Sequence, residues 1–171
     1  MTDAVSPLPL AAVLLPTVAV PLIYATRSRP NVREGVTLLA GVGTLAAVWL
    51  ATRSPATPVT PLGSVAGVPF ALRADAAGLL FALLASTLWL VTSVYSIGYV
   101  RTVDERSQTS YFAAFAASIA ATMGVAFAAN LVTLFVFYEL LTVATYPLVV
   151  HAGTAKAREA GRTYVAYTLG G

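Results

Sequence analysis

Glu139 is the one acid in the apolar run Leu131-Val-Thr-Leu-Phe-Val-Phe-Tyr-Glu-Leu-Leu-Thr-Val-Ala-Thr-Tyr-Pro147. The run is long enough to cross a bilayer, and a charged carboxylate near the midplane costs roughly 3 kcal/mol or more. Such a residue lines a water-filled path, pairs with a buried cation or carries protons. At a helical rise of about 1.5 Å per residue, Glu139 lies roughly 13 Å from Asn130, where the run starts. Helical spacing puts Phe135, Thr142, Val143 and Tyr146 on its face. Thr142 and Tyr146 are therefore candidates to support the carboxylate by hydrogen bonding or through water. Pro147 has no N–H, so the carbonyl of Val143 is freed on the same face. A carboxylate, two hydroxyls and a free carbonyl suit a proton-transfer site. The competing reading is a neutral, hydrogen-bonded Glu139 that only joins helices.

Other titratable groups lie at span ends. His151, the only histidine, follows the Glu139 run, and histidine as a residue type suits proton transfer near neutral pH, so it is a candidate for proton uptake. An interfacial, purely amphipathic role is the alternative. Asp75 precedes another apolar run and suits either helix capping or proton uptake at that surface. No further acid or base is expected within a span. A cation for Glu139 would then be Arg162, Lys156 or a residue beyond Gly171.

These residues need a membrane scaffold, and the composition supplies one. Hydrophobic residues make up 58% of the 171-residue chain and charged residues 10%, with a mean hydropathy of +0.80. Soluble domains carry about a quarter charged residues. The chain reads as an all-α integral membrane protein. The absence of cysteine excludes a disulfide framework, a thiolate zinc site and an iron–sulfur centre. The net charge is +3, without a basic run interleaved with aromatics, so nucleic acid is not an expected partner. No phosphate-binding Gly loop, nucleophile elbow or HExxH motif occurs, and no cofactor or metal is expected.

Span one is expected over Pro7 to Thr26, bent at Pro16 and Pro21. Span two covers Glu34 to Thr52, with Gly35, Gly41 and Gly43 offering a face for close packing. Residues 53–74 carry Pro55, Pro58, Pro61 and Pro69 and cannot be helical. Within them, Val65 to Leu72 has the pattern of a short β-hairpin at the membrane surface. Span three runs from Asp75 to Val100, span four from Tyr111 to Ala129, and span five from Asn130 to Val150. Arg101 to Arg106 reads as a solvated charge run and His151 to Gly161 as a polar loop. From Arg162 the chain turns apolar again, reaching about half of a roughly 30 Å hydrocarbon core. That is the start of a sixth span, so the sequence reads as part of a longer polypeptide or one piece of a split subunit. Two regions follow: 1–74, with two helices and an external loop, and 75–171, the start of a membrane core. With the N-terminus outside, the inner loops hold Arg27, Arg29, Arg33, Arg101, Arg106, Lys156, Arg158 and Arg162, and the outer ones only Arg53 and Arg73. The positive-inside bias favours that orientation.

Asp75-Ala-Ala-Gly-Leu-Leu-Phe-Ala through Ser93-Val-Tyr-Ser-Ile-Gly-Tyr99, together with Asn130 to Val150, resembles spans three and five of the antiporter-like membrane subunits. This family is shared by Mrp-type cation/proton antiporters, respiratory complex I and membrane-bound hydrogenases. The wording around Glu139 is most similar to the D-type member of the Mrp antiporters. The resemblance covers about Asp75 to Gly171; spans one and two agree only in placement and apolar character. It implies a fold of about fourteen helices with inverted repeats, of which this would be the N-terminal part. It implies that Glu139 is the family's fifth-span glutamate, coupled to a lysine on a later broken helix. It also implies a multisubunit complex in a prokaryotic plasma membrane, moving protons with or without exchange for Na⁺, and any redox enzymology in other subunits. The sequence departs from the family by ending before such a lysine. The alternative function is a structural or assembly subunit of a respiratory or hydrogenase complex, with no ion path of its own.

Overall fold

A computed structural model of the chain describes residues 2–65, 67–102, 107–151 and 154–170. Among these residues five helices are long and apolar enough to cross a membrane: α1 (Leu8–Ala25), α2 (Pro30–Thr52), α3 (Ala76–Thr102), α4 (Gln108–Ala126) and α5 (Leu131–Val149). A sixth helix, α6 (Ala155–Gly170), is shorter and starts polar. It takes in most of the segment expected to be a polar loop before Gly161, because Ala155, Ala157 and Ala160 favour helix among the charges. Among the described residues there are also three strands: β1 (Asp3–Val5), β2 (Thr57–Val65) and β3 (Val68–Arg73). The protein is thus an all-α multi-pass membrane fold with a small sheet at one end. The charge run beyond Thr102, including Arg106, and the terminal Gly171 lie outside the described residues.

Helices suit this environment because they satisfy their backbone internally. Their ends are set by local chemistry. Pro30 starts α2, where its missing N–H costs nothing. The helix therefore begins one turn before the expected Glu34 and takes Arg33 into the span. Asp75 accepts the Gly78 N–H at 2.8 Å and caps α3, where a cap was expected. Asn130 caps α5 by accepting the Thr133 N–H at 3.0 Å. Pro16 and Pro21 lie inside α1, which continues through both.

Small residues let the helices approach. A Cβ at Gly41 would press on Leu90 of α3, and one at Gly43 would meet Leu15 of α1 at 3.3 Å. The alanine-rich α4 is the hub, packed against α1, α3 and α5. The bundle encloses 56% of the α4 span but only 17% of the α5 span. Much of α5 is therefore left for lipid or for other protein.

The expected hairpin is present and longer than Val65 to Leu72. β2 and β3 pair antiparallel from Val59↔Arg73 to Val65↔Val68, with a register shift between Pro61 and Gly63. Gly63 (φ 127°) and Gly67 (φ 81°) supply the left-handed backbone that this shift and the turn require. The first residues are not a simple tail: β1 pairs parallel with β2, and Asp3 joins Arg73 at 3.1 Å. Three residues are too few to carry a readable strand alternation. The hairpin docks on the α4–α5 connection, where Arg73 donates its backbone N–H to the Phe127 carbonyl and Ala129 donates to Ala71.

Candidate functional site

Glu139 sits mid-way along α5, half-buried. Its position is fixed from the sheet end. The Asn130 amide donates to the Pro69 carbonyl at 2.6 Å, and Thr133 Oγ1 accepts the Ala71 N–H at 3.3 Å. One turn further, the Phe137 ring stacks on Phe70 of β3 with centroids 5.9 Å apart. Its other side lies against Gly124 of α4, where a Cβ would overlap the ring. Phe137 thus keys α5 into both the hairpin and α4, two residues before Glu139.

Among the described residues, no hydrogen bond or ion pair reaches the Glu139 carboxylate. Thr142 is buried, and its hydroxyl donates to the Tyr138 carbonyl at 3.3 Å, back along its own helix. Tyr146 is half-buried and packs close to Gly161 of α6. Thr145, one residue away, shares a hydrogen bond with Tyr164 of α6 at 2.7 Å. Beside Glu139, Phe135 is 64% and Val143 61% exposed. Lys156 and Arg162 are exposed and form no ion pair with Glu139.

The remaining candidates sit at opposite ends of the bundle. Asp75 is exposed at the sheet end, with one carboxylate oxygen engaged in the α3 cap. His151 follows α5 at the other end, its ring 5.7 Å from that of Tyr111. Tyr111 in turn shares a hydrogen bond with Ser96 at 3.0 Å.

One expectation fails: the spans do contain further charged groups. Arg33 and Glu34 on α2 are 3% and 5% exposed. The Glu34 carboxylate is gripped by the Arg101 guanidinium, through Nε at 3.0 Å and through a shorter Nη2 contact. Arg33 Nη2 lies 3.7 Å from Glu34 and donates to Gln108 at 2.8 Å, while Nη1 donates to Thr109 at 3.1 Å. The Arg33 guanidinium also stands over the Phe112 ring at 5.3 Å. These contacts tie α2, α3 and α4 together at the end opposite the sheet. In the sequence Arg33 reads as part of the inner loop and Glu34 as the first residue of span two; Pro30 is the signal that brings Arg33 into the helix.

No family model and no curated protein matches the sequence. The fold is similar to a chain in the solved structure of the membrane-bound sulfane sulfur reductase, an archaeal respiratory membrane complex, with a TM-score of 0.80 at 15% identity. The match covers 94% of this chain and 34% of that one. The chain thus spans about a third of the length of its structural neighbour and shares its fold over that part.

Proposed function

We propose that this chain is part of an ion-translocating subunit of a multisubunit membrane complex, with Glu139 as its mid-membrane proton site. The observation that carries this reading is a half-buried carboxylate in the middle of α5 with no protein partner among the described residues. A carboxylate at that depth is expensive unless a counter-charge or water meets it. The uncovered face of α5 beside it, at Phe135 and Val143, leaves room for a further helix to bring that counter-charge. The family resemblance and the fold of the respiratory neighbour support the same role.

In this reading the counter-charge is a lysine on another helix, and its approach and withdrawal bias Glu139 between its two forms. Thr142 and Tyr146 line the approach. His151 and Asp75 would stand at the two mouths of the path. The finer assignment is a protein like the D-type member of the Mrp antiporters, exchanging H⁺, with or without Na⁺, in a prokaryotic plasma membrane with the sheet end outside.

A structural subunit is the competing reading, favoured by the tie of buried Arg33 and Glu34 to the half-exposed Arg101, which joins helices without lining a path to Glu139. Glu139→Gln separates the two. It keeps side-chain shape and removes the ionisable group. Loss of proton transport in an assembled complex supports the proposal; full transport defeats it.

A further inference from the structure

At the sheet end, α2 and α3 do not close on each other. Their far halves are drawn together, where Gly41 packs against Leu90 and Arg101 grips Glu34. Near the sheet, the base of the hairpin joins them: Ala74 donates its N–H to the Pro58 carbonyl at 2.9 Å, and Thr57 and Pro58 are buried there. A cleft of about 520 Å³ is left at this junction. The third helix contributes Leu79, Leu80 and Leu83 to its lining, and the segments beyond the helix ends contribute Ser54, Arg73 and Asp75. Its apolar stretch therefore lies within the span and its polar stretch at the membrane surface. Leu80 is 72% exposed, so the cleft opens toward the bilayer. Trp49 sits at the same end of α2, with the Arg53 guanidinium 4.9 Å over its ring, as an interfacial aromatic does.

The polar stretch holds charges of both signs. Arg73 Nη2 pairs with Asp3 at 3.1 Å, yet the Arg73 side chain is 45% exposed, and a guanidinium carries five donors. Asp75 is exposed; its Oδ1 accepts the Gly78 N–H, and its other oxygen has no hydrogen-bond partner among the described residues. A purely anionic ligand would meet Asp75 and Asp3 as well as Arg73. A ligand with a phosphate beside an ammonium satisfies both signs, and ammonium N–H groups can donate to the free Asp75 oxygen. An empty apolar groove forfeits dispersion contacts, and a lipid tail is as apolar as leucine. We propose that the α2–α3 cleft binds a zwitterionic glycerophospholipid with a primary ammonium. Its phosphate lies on Arg73, its ammonium on Asp75, and one acyl chain runs along Leu79, Leu80 and Leu83. The bound lipid holds the base of the hairpin at the membrane surface. This site stands whether or not Glu139 carries protons.

The test is native mass spectrometry of the full chain in detergent, titrated with phosphatidylethanolamine or phosphatidylglycerol of the same acyl chains. One phosphatidylethanolamine should bind saturably and more tightly than phosphatidylglycerol. Asp75→Asn keeps the α3 cap, because Asn caps as well as Asp. It should cut the preference for phosphatidylethanolamine by up to about fivefold, the most an exposed charge pair gives. Leu83→Trp fills the cleft and should weaken binding of both lipids without changing their ratio. Circular dichroism checks that each variant is folded. Phosphatidylglycerol bound as tightly as phosphatidylethanolamine by the unmodified chain overturns the proposal. So does a preference that folded Asp75→Asn retains in full, or a folded Leu83→Trp that binds both lipids as before.

Discussion

Gly124→Ala should destabilise this protein, although alanine is the better helix former. The added Cβ would overlap the Phe137 ring, which Phe70 blocks from the other side. Forcing a methyl into a well-packed contact costs about 1–3 kcal/mol. The gain from replacing a helical glycine offsets up to about 1 kcal/mol of that. The expected net loss is therefore about 1–2 kcal/mol. Phe137→Leu alone should cost about 1 kcal/mol, from lost stacking and contact area. The double variant should be no worse than Phe137→Leu, because the clash has gone. A double-mutant cycle would then return a coupling energy of at least about 1 kcal/mol. Reversible unfolding in mixed micelles, followed by circular dichroism, measures all three. A neutral or stabilised Gly124→Ala, or strictly additive effects, would refute the idea that Phe137 keys α5 between the hairpin and α4.

Further outcomes follow from the same contacts. Glu34→Gln leaves the 3%-exposed Arg33 beside Arg101 without its counter-charge; the same unfolding assay should show a loss of about 3 kcal/mol, the low end for a broken buried pair because Arg101 can turn to water. Asn130→Ala removes the α5 cap and the hydrogen bond to Pro69 and should cost about 1–2 kcal/mol, with amide exchange rising in the first turn of α5. The chain has no cysteine, so single cysteines report topology directly. Ser64→Cys in the hairpin should react with an impermeant thiol reagent from outside the cell, and Ser107→Cys only after the membrane is opened. The reverse pattern would overturn the N-terminus-out orientation.

Much of the fold was legible because membrane spans announce themselves by length and apolarity. Asp75 and Asn130 were readable as helix starts because a short polar side chain before an apolar run has few other uses. The hairpin was readable in outline from prolines and alternation, but its length was not, because the register shift at Gly63 lets Pro61 sit in a strand. Arg33 was missed, and Glu34 was placed only at the edge of span two, for a physical reason: the charges and proline around them look like a loop until a tertiary partner, Arg101, pairs with Glu34. For Glu139, spacing along the helix groups residues on one face but does not give their hydrogen bonds. Thr142 shares that face, yet its hydroxyl returns to Tyr138, a rotamer choice that spacing does not encode.

Proton transport by Glu139→Gln in vesicles containing the assembled complex tests the central claim most directly. The substitution removes the ionisable carboxyl while keeping its shape. The proposed role predicts an intact complex with proton movement abolished or strongly reduced. An intact complex that pumps at the unmodified rate would contradict it and leave Glu139 as a helix-joining residue.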